Sequence, residues 1–314
     1  MVVLVTGCAG FIGSHLCEVL LKDGINVYGI DNINDYYNIK QKEENLKILS
    51  KYKSFAFRKD DIVNTKIIDE IKPEIIVNLA AMAGVRYSLE NPELYMRVNV
   101  EGQTNLLRQS IKNNVKLFIY ASSSSVYGTN TKVPFLETDP TENINSPYAS
   151  SKLNSEIMAK LYNKLYNISV IGLRFFTVYG PRGRPDMAPY KFLTKIMKGE
   201  IFDKYGEGDS YRDYTFIDDI ILGIMGAIRN KNNRTCEIYN LGNSNIVSLN
   251  EFIKTCEDVS GKKALYNQLP NQLGDVPKTY SDITKAKQDL DYNPQTSLKD
   301  GLTKMFKWVQ ENQL

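Results

Sequence analysis

One histidine, one tryptophan and four cysteines in 314 residues leave little material for metal or disulfide chemistry. Cys8, Cys17, Cys236 and Cys256 show no C-x-x-C spacing and His15 stands alone, so a zinc set is lacking and the cysteines read as small reduced core residues. No apolar run is long enough to cross a bilayer, which argues against a membrane protein. The chain opens on a core strand rather than on a charged leader with a cleavage site, which predicts a cytoplasmic location. Charge of one sign is also missing. Lys+Arg number 39 against Asp+Glu 36, a net charge of +3 without a basic block, and nucleic acid or an anionic membrane is excluded as the expected partner. Internal repeats, low-complexity tracts and flexible linkers are absent.

What the chain has is a glycine-spaced opening. Val2 to Thr6 is an apolar run, TGCAGFIG then sets Gly7, Gly10 and Gly13 three residues apart, and an amphipathic stretch follows from Phe11 to Leu21. Strand, glycine loop and helix in this order form a dinucleotide site, because glycine lets the backbone approach a pyrophosphate and the helix N-terminus offers unpaired N–H groups. A second apolar run, Asn26 to Ile30, ends in Asp31, near the offset of about 20 residues at which a carboxylate meets the ribose. Such a carboxylate accepts hydrogen bonds from a ribose 2′-hydroxyl and repels a 2′-phosphate, so the expected cofactor is NAD rather than NADP.

Further apolar runs, Ser54 to Phe57, Glu74 to Ala80, Lys116 to Ala121 and Ser169 to Leu173, alternate with helical stretches near Thr65 to Ile71, Leu94 to Asn113 and Pro147 to Tyr166. The pattern predicts an α/β fold with a Rossmann-type, doubly wound parallel sheet. After about residue 176 it changes to an irregular loop at Pro181, Gly183 and Pro185, with helices near Tyr190 to Met197, Ile217 to Arg229, Leu249 to Val259 and Leu298 to Gln313. The expected division is an NAD-binding unit at 1–176 and a smaller α/β substrate unit at 177–314, with segments at about 215–245 returning to the first.

Within PYASSK, Tyr148 precedes Lys152 by four residues, so on a helix the two share one face. A cation beside a phenol favours phenolate. Bringing a pKa of about 10 down to about 7 takes roughly 4 kcal/mol, and the product is a base able to deprotonate a sugar hydroxyl at neutral pH.

In combination these motifs resemble the extended short-chain dehydrogenase/reductase family, and within it the NAD-dependent nucleotide-sugar epimerases, almost from end to end. The resemblance implies a cofactor site at Gly7, Gly10, Phe11, Ile12, Gly13, Asp31 and Asn32, with Asp61 and Ile62 near the adenine. Leu79, Ala80 and Ala81 of LAAMAGV would line the cofactor, and Asn99 would help to shape the site. Ser123, Tyr148 and Lys152 fall on the catalytic positions. The family chemistry removes the C4 hydroxyl proton and the C4 hydride, turns the 4-keto sugar over and returns the hydride to the other face. Related 4,6-dehydratases and decarboxylases carry acidic residues where this chain has Ser124 and Ser125, so those reactions lack their proton carriers here.

The segments DNINDYYN from Asp31, AGVRYSLENP from Ala83 and RFFTVYGPRGRPDMAPYKF from Arg174 are similar to those of UDP-glucuronate 4-epimerases. That likeness implies substrate contacts at Ser123, Ser124, Ser125 and Thr177, with Arg184 holding the C6 carboxylate, Arg86 and Arg212 near the diphosphate and Asp275 near the uridine ribose. A planar guanidinium suits a carboxylate, and holding that carboxylate in the plane of a 4-keto ring protects a β-keto acid from losing CO2. Arg182 departs from the tryptophan that many such enzymes have, which leaves 4-epimerisation of UDP-glucose or UDP-N-acetylglucosamine open. A keto reductase or a non-catalytic NAD-binding protein are the remaining alternatives. The resemblance also implies a homodimer formed by the helices near Asn99 to Asn113 and Tyr148 to Tyr166, with Leu153, Ile157, Leu161 and Leu165 as the apolar face.

Overall fold

Six of the first apolar runs and one late one assemble into a single parallel sheet. In the computed structural model, which describes residues 1–229, 236–270 and 276–312, the strands in chain order are β1 (Val2–Thr6), β2 (Asn26–Asp31), β3 (Phe55–Lys59), β4 (Ile75–Asn78), β5 (Leu117–Ser123), β6 (Ser169–Phe175), β7 (Thr177–Tyr179), β8 (Ile201–Tyr205), β9 (Tyr211–Phe216), β10 (Cys236–Leu241), β11 (Ile246–Ser248) and β12 (Leu265–Leu269). Seven of them pair in the order β10-β6-β5-β4-β1-β2-β3, and every pairing is parallel. The order 3-2-1-4-5-6 is that of a doubly wound dinucleotide fold, with β10 added at its far edge. The strand direction reverses its winding between β1 and β4, and a crevice opens there at the carboxyl ends.

Strands buried on both faces need apolar residues throughout. All seven residues of β6 and all four of β4 are buried, and two apolar cores cover the two faces of the sheet. One contains Leu4, Ile76, Phe118 and Leu106, the other Val3, Val77, Ile119 and Leu20. The second core also runs on into Phe202, Phe216, Phe252 and Met305 of the later elements, so the early and late parts of the chain share apolar packing. Two small sheets, β11-β9-β7 and β12-β8, stand beside the crevice.

The Pro147–Tyr166 helix starts where the sequence says it should. Ser146 accepts from the Ala149 amide at 3.1 Å, Pro147 occupies the first turn, and Asn167 closes the helix in the left-handed conformation. Its inner face carries Glu156, which forms a two-pronged ion pair with Arg174 of β6 at 2.9 and 2.8 Å; the two side chains are only 5% and 4% exposed. Ser122 of β5 donates to the same carboxylate at 2.5 Å.

The helix expected from Leu94 to Asn113 is broken into three windings. Pro92–Tyr95 and Gln103–Lys112 are α-helical, and Met96–Gly102 between them is a π-helix. The wider turn brings Asn99 round to the Met82 backbone, a contact that hydrophobic spacing does not report. The apolar face expected on the Pro147–Tyr166 helix is correct for Ile157, Leu161 and Leu165, which are exposed. Leu153 differs, because it packs inward on the cluster of Val126, Tyr127, Phe135 and Phe176.

Removing one partner of a buried ion pair strands the other charge. Glu156→Ala should therefore lower the unfolding free energy by about 3–5 kcal/mol, measured by urea denaturation, and a loss below about 1 kcal/mol would mean that Arg174 finds another partner.

Candidate active site

A cavity of about 580 Å³ runs along the crevice, from the glycine loop at one end to Tyr205, Arg212 and Tyr214 at the other. At the first end the chain must pass very close to itself. Gly7 has φ +69°, and a Cβ there would lie 2.8 Å from the Ala80 amide nitrogen; a Cβ on Gly13 would overlap the Gly7 carbonyl. The first helix, Phe11–Lys22, begins at Gly10 without a side-chain cap, which leaves its N–H groups to a bound anion. Phe11 and Ile12 also line the cavity.

Asp31 ends β2 in the cavity wall and does more than face a ligand. Its carboxylate accepts from the Ile33 amide at 2.8 Å and the Ala9 amide at 3.3 Å, so it fixes both the turn after β2 and the glycine loop. Lys42, on the Ile39–Leu49 helix, approaches Asp31 at 3.7 Å and is 5% exposed. Burial lowers the Lys42 pKa, and the Asp31 carboxylate opposes this. Sequence reasoning missed Lys42, since nothing in IKQKEEN distinguishes it from the solvated lysines around it. Asn32 donates to Asp61 at 3.0 Å, and both residues line the cavity with Ile62, Leu79, Ala80 and Ala81. These groups suit a dinucleotide: a backbone cradle that any side chain would fill, an open helix N-terminus and a carboxylate at the ribose position.

Asn99 stands behind the cavity wall and not in it. It is buried outside the cavity wall, where its amide oxygen accepts from Met82 N at 2.8 Å and its nitrogen donates to the Met82 carbonyl at 2.9 Å and to Ser151 at 2.8 Å. It acts by bracing the 80–84 loop and the helix that bears Tyr148.

At the centre of the cavity Tyr148, Lys152, Ser123, Ser124, Ser125 and Thr177 converge. Ser123 is the hydroxyl that favours the ionised form of the Tyr148 phenol. Ser123 in turn donates to Ser125 at 3.1 Å, and Ser122 is turned away to Glu156. The Lys152 ammonium donates to the Ala121 carbonyl at 2.8 Å. Burial lowers the Lys152 pKa to about 8, against the pull of Glu156 one turn further on. For Tyr148, burial raises the pKa above the ordinary phenol value, and the influences in the other direction are Ser123 and the Arg184 charge. Desolvation of the site thus outweighs the Ser123 hydroxyl and the Arg184 charge.

Arg184 also reaches the cavity. Its Nε and Nη2 donate to Asp186 at 3.0 and 2.5 Å, Nη2 also meets the Ala83 carbonyl at 3.3 Å, and the guanidinium lies 5.4 Å from the centre of the Tyr36 ring. Sequence reasoning missed Asp186, two residues along in the same loop. Arg86 lies over the Tyr205 ring at 5.0 Å, and Arg212 donates to the Tyr211 carbonyl at 2.9 Å; both line the cavity. Asp275 lies outside the described residues. Arg182, the departure noted above, faces away from the cavity. Its Nη2 pairs with Glu18 of the first helix at 2.6 Å, while Gln41 donates to the carbonyls of Arg182 and Gly183 at 2.6 and 3.1 Å.

Known proteins resemble this chain along nearly its whole length. A family model described as GDP-mannose 4,6 dehydratase matches residues 4–305. Protein CapI of Staphylococcus aureus is 43% identical over 99% of both chains. UDP-glucuronate 4-epimerase 2 of Arabidopsis thaliana is 41% identical over 98% of this chain and 75% of its own length. The crystal structure of UDP-glucuronic acid 4-epimerase from Bacillus cereus, in complex with UDP-glucuronic acid and NAD, superposes with a TM-score of 0.93 at 36% identity over 99% of both chains.

Because its folded pKa lies below the usual lysine value of 10.5, Lys152 disfavours folding at pH below about 8, and that cost is relieved as pH rises from about 8 towards 10.5. The Lys152 side-chain carbon signals should accordingly titrate near 8 by NMR, and an inflection near 10.5 would show that the ammonium is not desolvated.

Proposed function

Since this chain belongs to the GDP-mannose 4,6 dehydratase family of extended short-chain dehydrogenases/reductases, we propose that it is an NAD-dependent UDP-glucuronate 4-epimerase, interconverting UDP-glucuronate and UDP-galacturonate through a 4-keto sugar. The observation that carries this reading is the meeting of three groups in one cavity: a glycine cradle for a dinucleotide, the Ser123–Tyr148–Lys152 set, and an arginine beside them. The family model takes its description from a dehydratase, but Ser124 and Ser125 put hydroxyls at the two positions where the dehydratases carry the acid and base of elimination.

In this reading Gly7, Gly10 and Gly13 with the first helix hold the pyrophosphate of NAD, Asp31 and Asn32 hold the adenine ribose, and Asp61 and Ile62 border the adenine. NAD+ held there would supply the hydride acceptor. Tyr148 takes the proton of the C4 hydroxyl, and Ser123 on the same cavity wall offers its hydroxyl to the same substrate oxygen. Lys152 keeps the site electropositive while it holds its own proton, and Ala121 fixes its ammonium. With the sugar turned over, Tyr148 returns the proton to the C4 oxygen. Ser124, Ser125 and Thr177 hold the ring, Arg184 holds the C6 carboxylate, and Arg86 and Arg212 neutralise the diphosphate. Arg182 does not alter this pocket, because its charge is committed to Glu18.

Two structural consequences belong to the same reading. Residues 1–176 with β10 form the cofactor unit and most of 177–314 the substrate unit. The chain also works as a homodimer, supported by Ile157, Leu161 and Leu165 exposed along one helix, where a second copy would cover them.

UDP-glucuronate deuterated at C4 should give UDP-galacturonate that retains the label, with no steady absorbance change at 340 nm. Loss of label to solvent, or stoichiometric consumption of NADH, overturns epimerisation. Tyr148→Phe should lower kcat by at least about 100-fold while NAD stays bound. Leu161→Glu should convert the dimer to monomer by analytical ultracentrifugation, and an unchanged dimer would place the interface elsewhere.

A further inference from the structure

The Arg184 guanidinium is already occupied by an anion of the same chain. Arg184 and Asp186 lie on either side of Pro185, whose fixed φ shortens the reach between them, and two hydrogen bonds join the guanidinium edge to the carboxylate. Both residues line the cavity with Tyr148 and Thr177. The arginine side chain is 17% exposed and the aspartate 35%. Tyr36 closes the group from the other side: its hydroxyl donates to the Ala83 carbonyl at 2.8 Å and lies 3.5 Å from the Asp186 carboxylate, while its ring underlies the guanidinium.

We propose that Asp186 is a specificity-determining residue: it occupies the anion seat of Arg184, so that a uronate enters by exchanging one carboxylate for another. The proposal rests on the epimerase reading above and adds the residue that sets its carboxylate selectivity. Asp186 is tethered two residues away, so its effective concentration at Arg184 is high, and an incoming carboxylate meets a neutral pair instead of a free cation. Once displaced, Asp186 has somewhere to go, since the Tyr36 hydroxyl stands within reach and a third of the side chain faces solvent. A ligand without a carboxylate leaves the pair intact, and no unpaired guanidinium is then buried beside the sugar. Weak retention of the uronate also favours its release and its turning within the cavity, which a free arginine would hinder.

The full-length, NAD-loaded protein tests this with two substitutions of different size, Asp186→Asn and Asp186→Ser. Both should lower KM for UDP-glucuronate by about tenfold, whereas the Kd of UDP, which has no sugar, should move by less than about twofold. In an Arg184→Ala background the same substitutions should have no effect on KM. An unchanged or raised KM in both Asp186 variants, with normal turnover by the wild type, overturns the exchange alone. A gain that persists without Arg184 also overturns it. A wild-type protein that does not turn over UDP-glucuronate overturns the functional reading instead.

Discussion

The buried pair of Glu156 and Arg174 joins the helix that carries Tyr148 and Lys152 to the sheet that ends in Ser123. Glu156 stands one turn beyond Lys152, which itself stands one turn beyond Tyr148, so the position of this carboxylate sets the rotation of the whole helical face. Arg174 approaches from β6, and Ser122 from β5 binds the same oxygen that accepts from the Arg174 Nε. Ser122 is adjacent to Ser123, so strand end and helix are locked in one arrangement. An ion pair out of water contributes little net stability, but its geometry is demanding, and misplacement of either partner leaves a charge unpaired. Registration of Tyr148 against Ser123 follows from that demand. The Glu156 charge also opposes the desolvation of Lys152, so the same carboxylate has both a mechanical and an electrostatic effect.

Much of this was legible in the chain because it is local. The glycine triplet, the strand ending in Asp31, and PYASSK each specify a short segment whose chemistry depends on neighbours within a few residues. Other features depend on residues far apart. The π-helical turn at Met96–Gly102 carries Asn99 to the Met82 backbone, and no spacing rule reports that contact. Lys42 meets Asp31 only because the Ile39–Leu49 helix folds back over β2. Asp186 is close to Arg184 in sequence, but the acidic partner of a loop arginine is not identifiable until the loop is folded. Tyr148 is a similar case: the Tyr–Lys spacing is visible in sequence, while the burial that raises the phenol pKa is not.

The Arg182 side chain is turned out of the cavity. Pointing at Glu18, it seats the loop on the first helix, and Gln41 grips the two carbonyls beside it. The loop that bears Arg184 is thereby anchored to the same helix whose N-terminus faces the glycine turn. Cofactor cradle and sugar site therefore share a support.

The late strand β10 has a consequence for how the molecule comes into being. It covers β6, and about sixty residues of other structure separate the two in the chain. A polypeptide emerging from the ribosome has six strands ready while the flank of β6 stays bare, with its amides and carbonyls unsatisfied, until residue 241 is free. Nascent chains are sticky along that flank throughout this interval, and a fragment ending before β10 retains the hazard permanently.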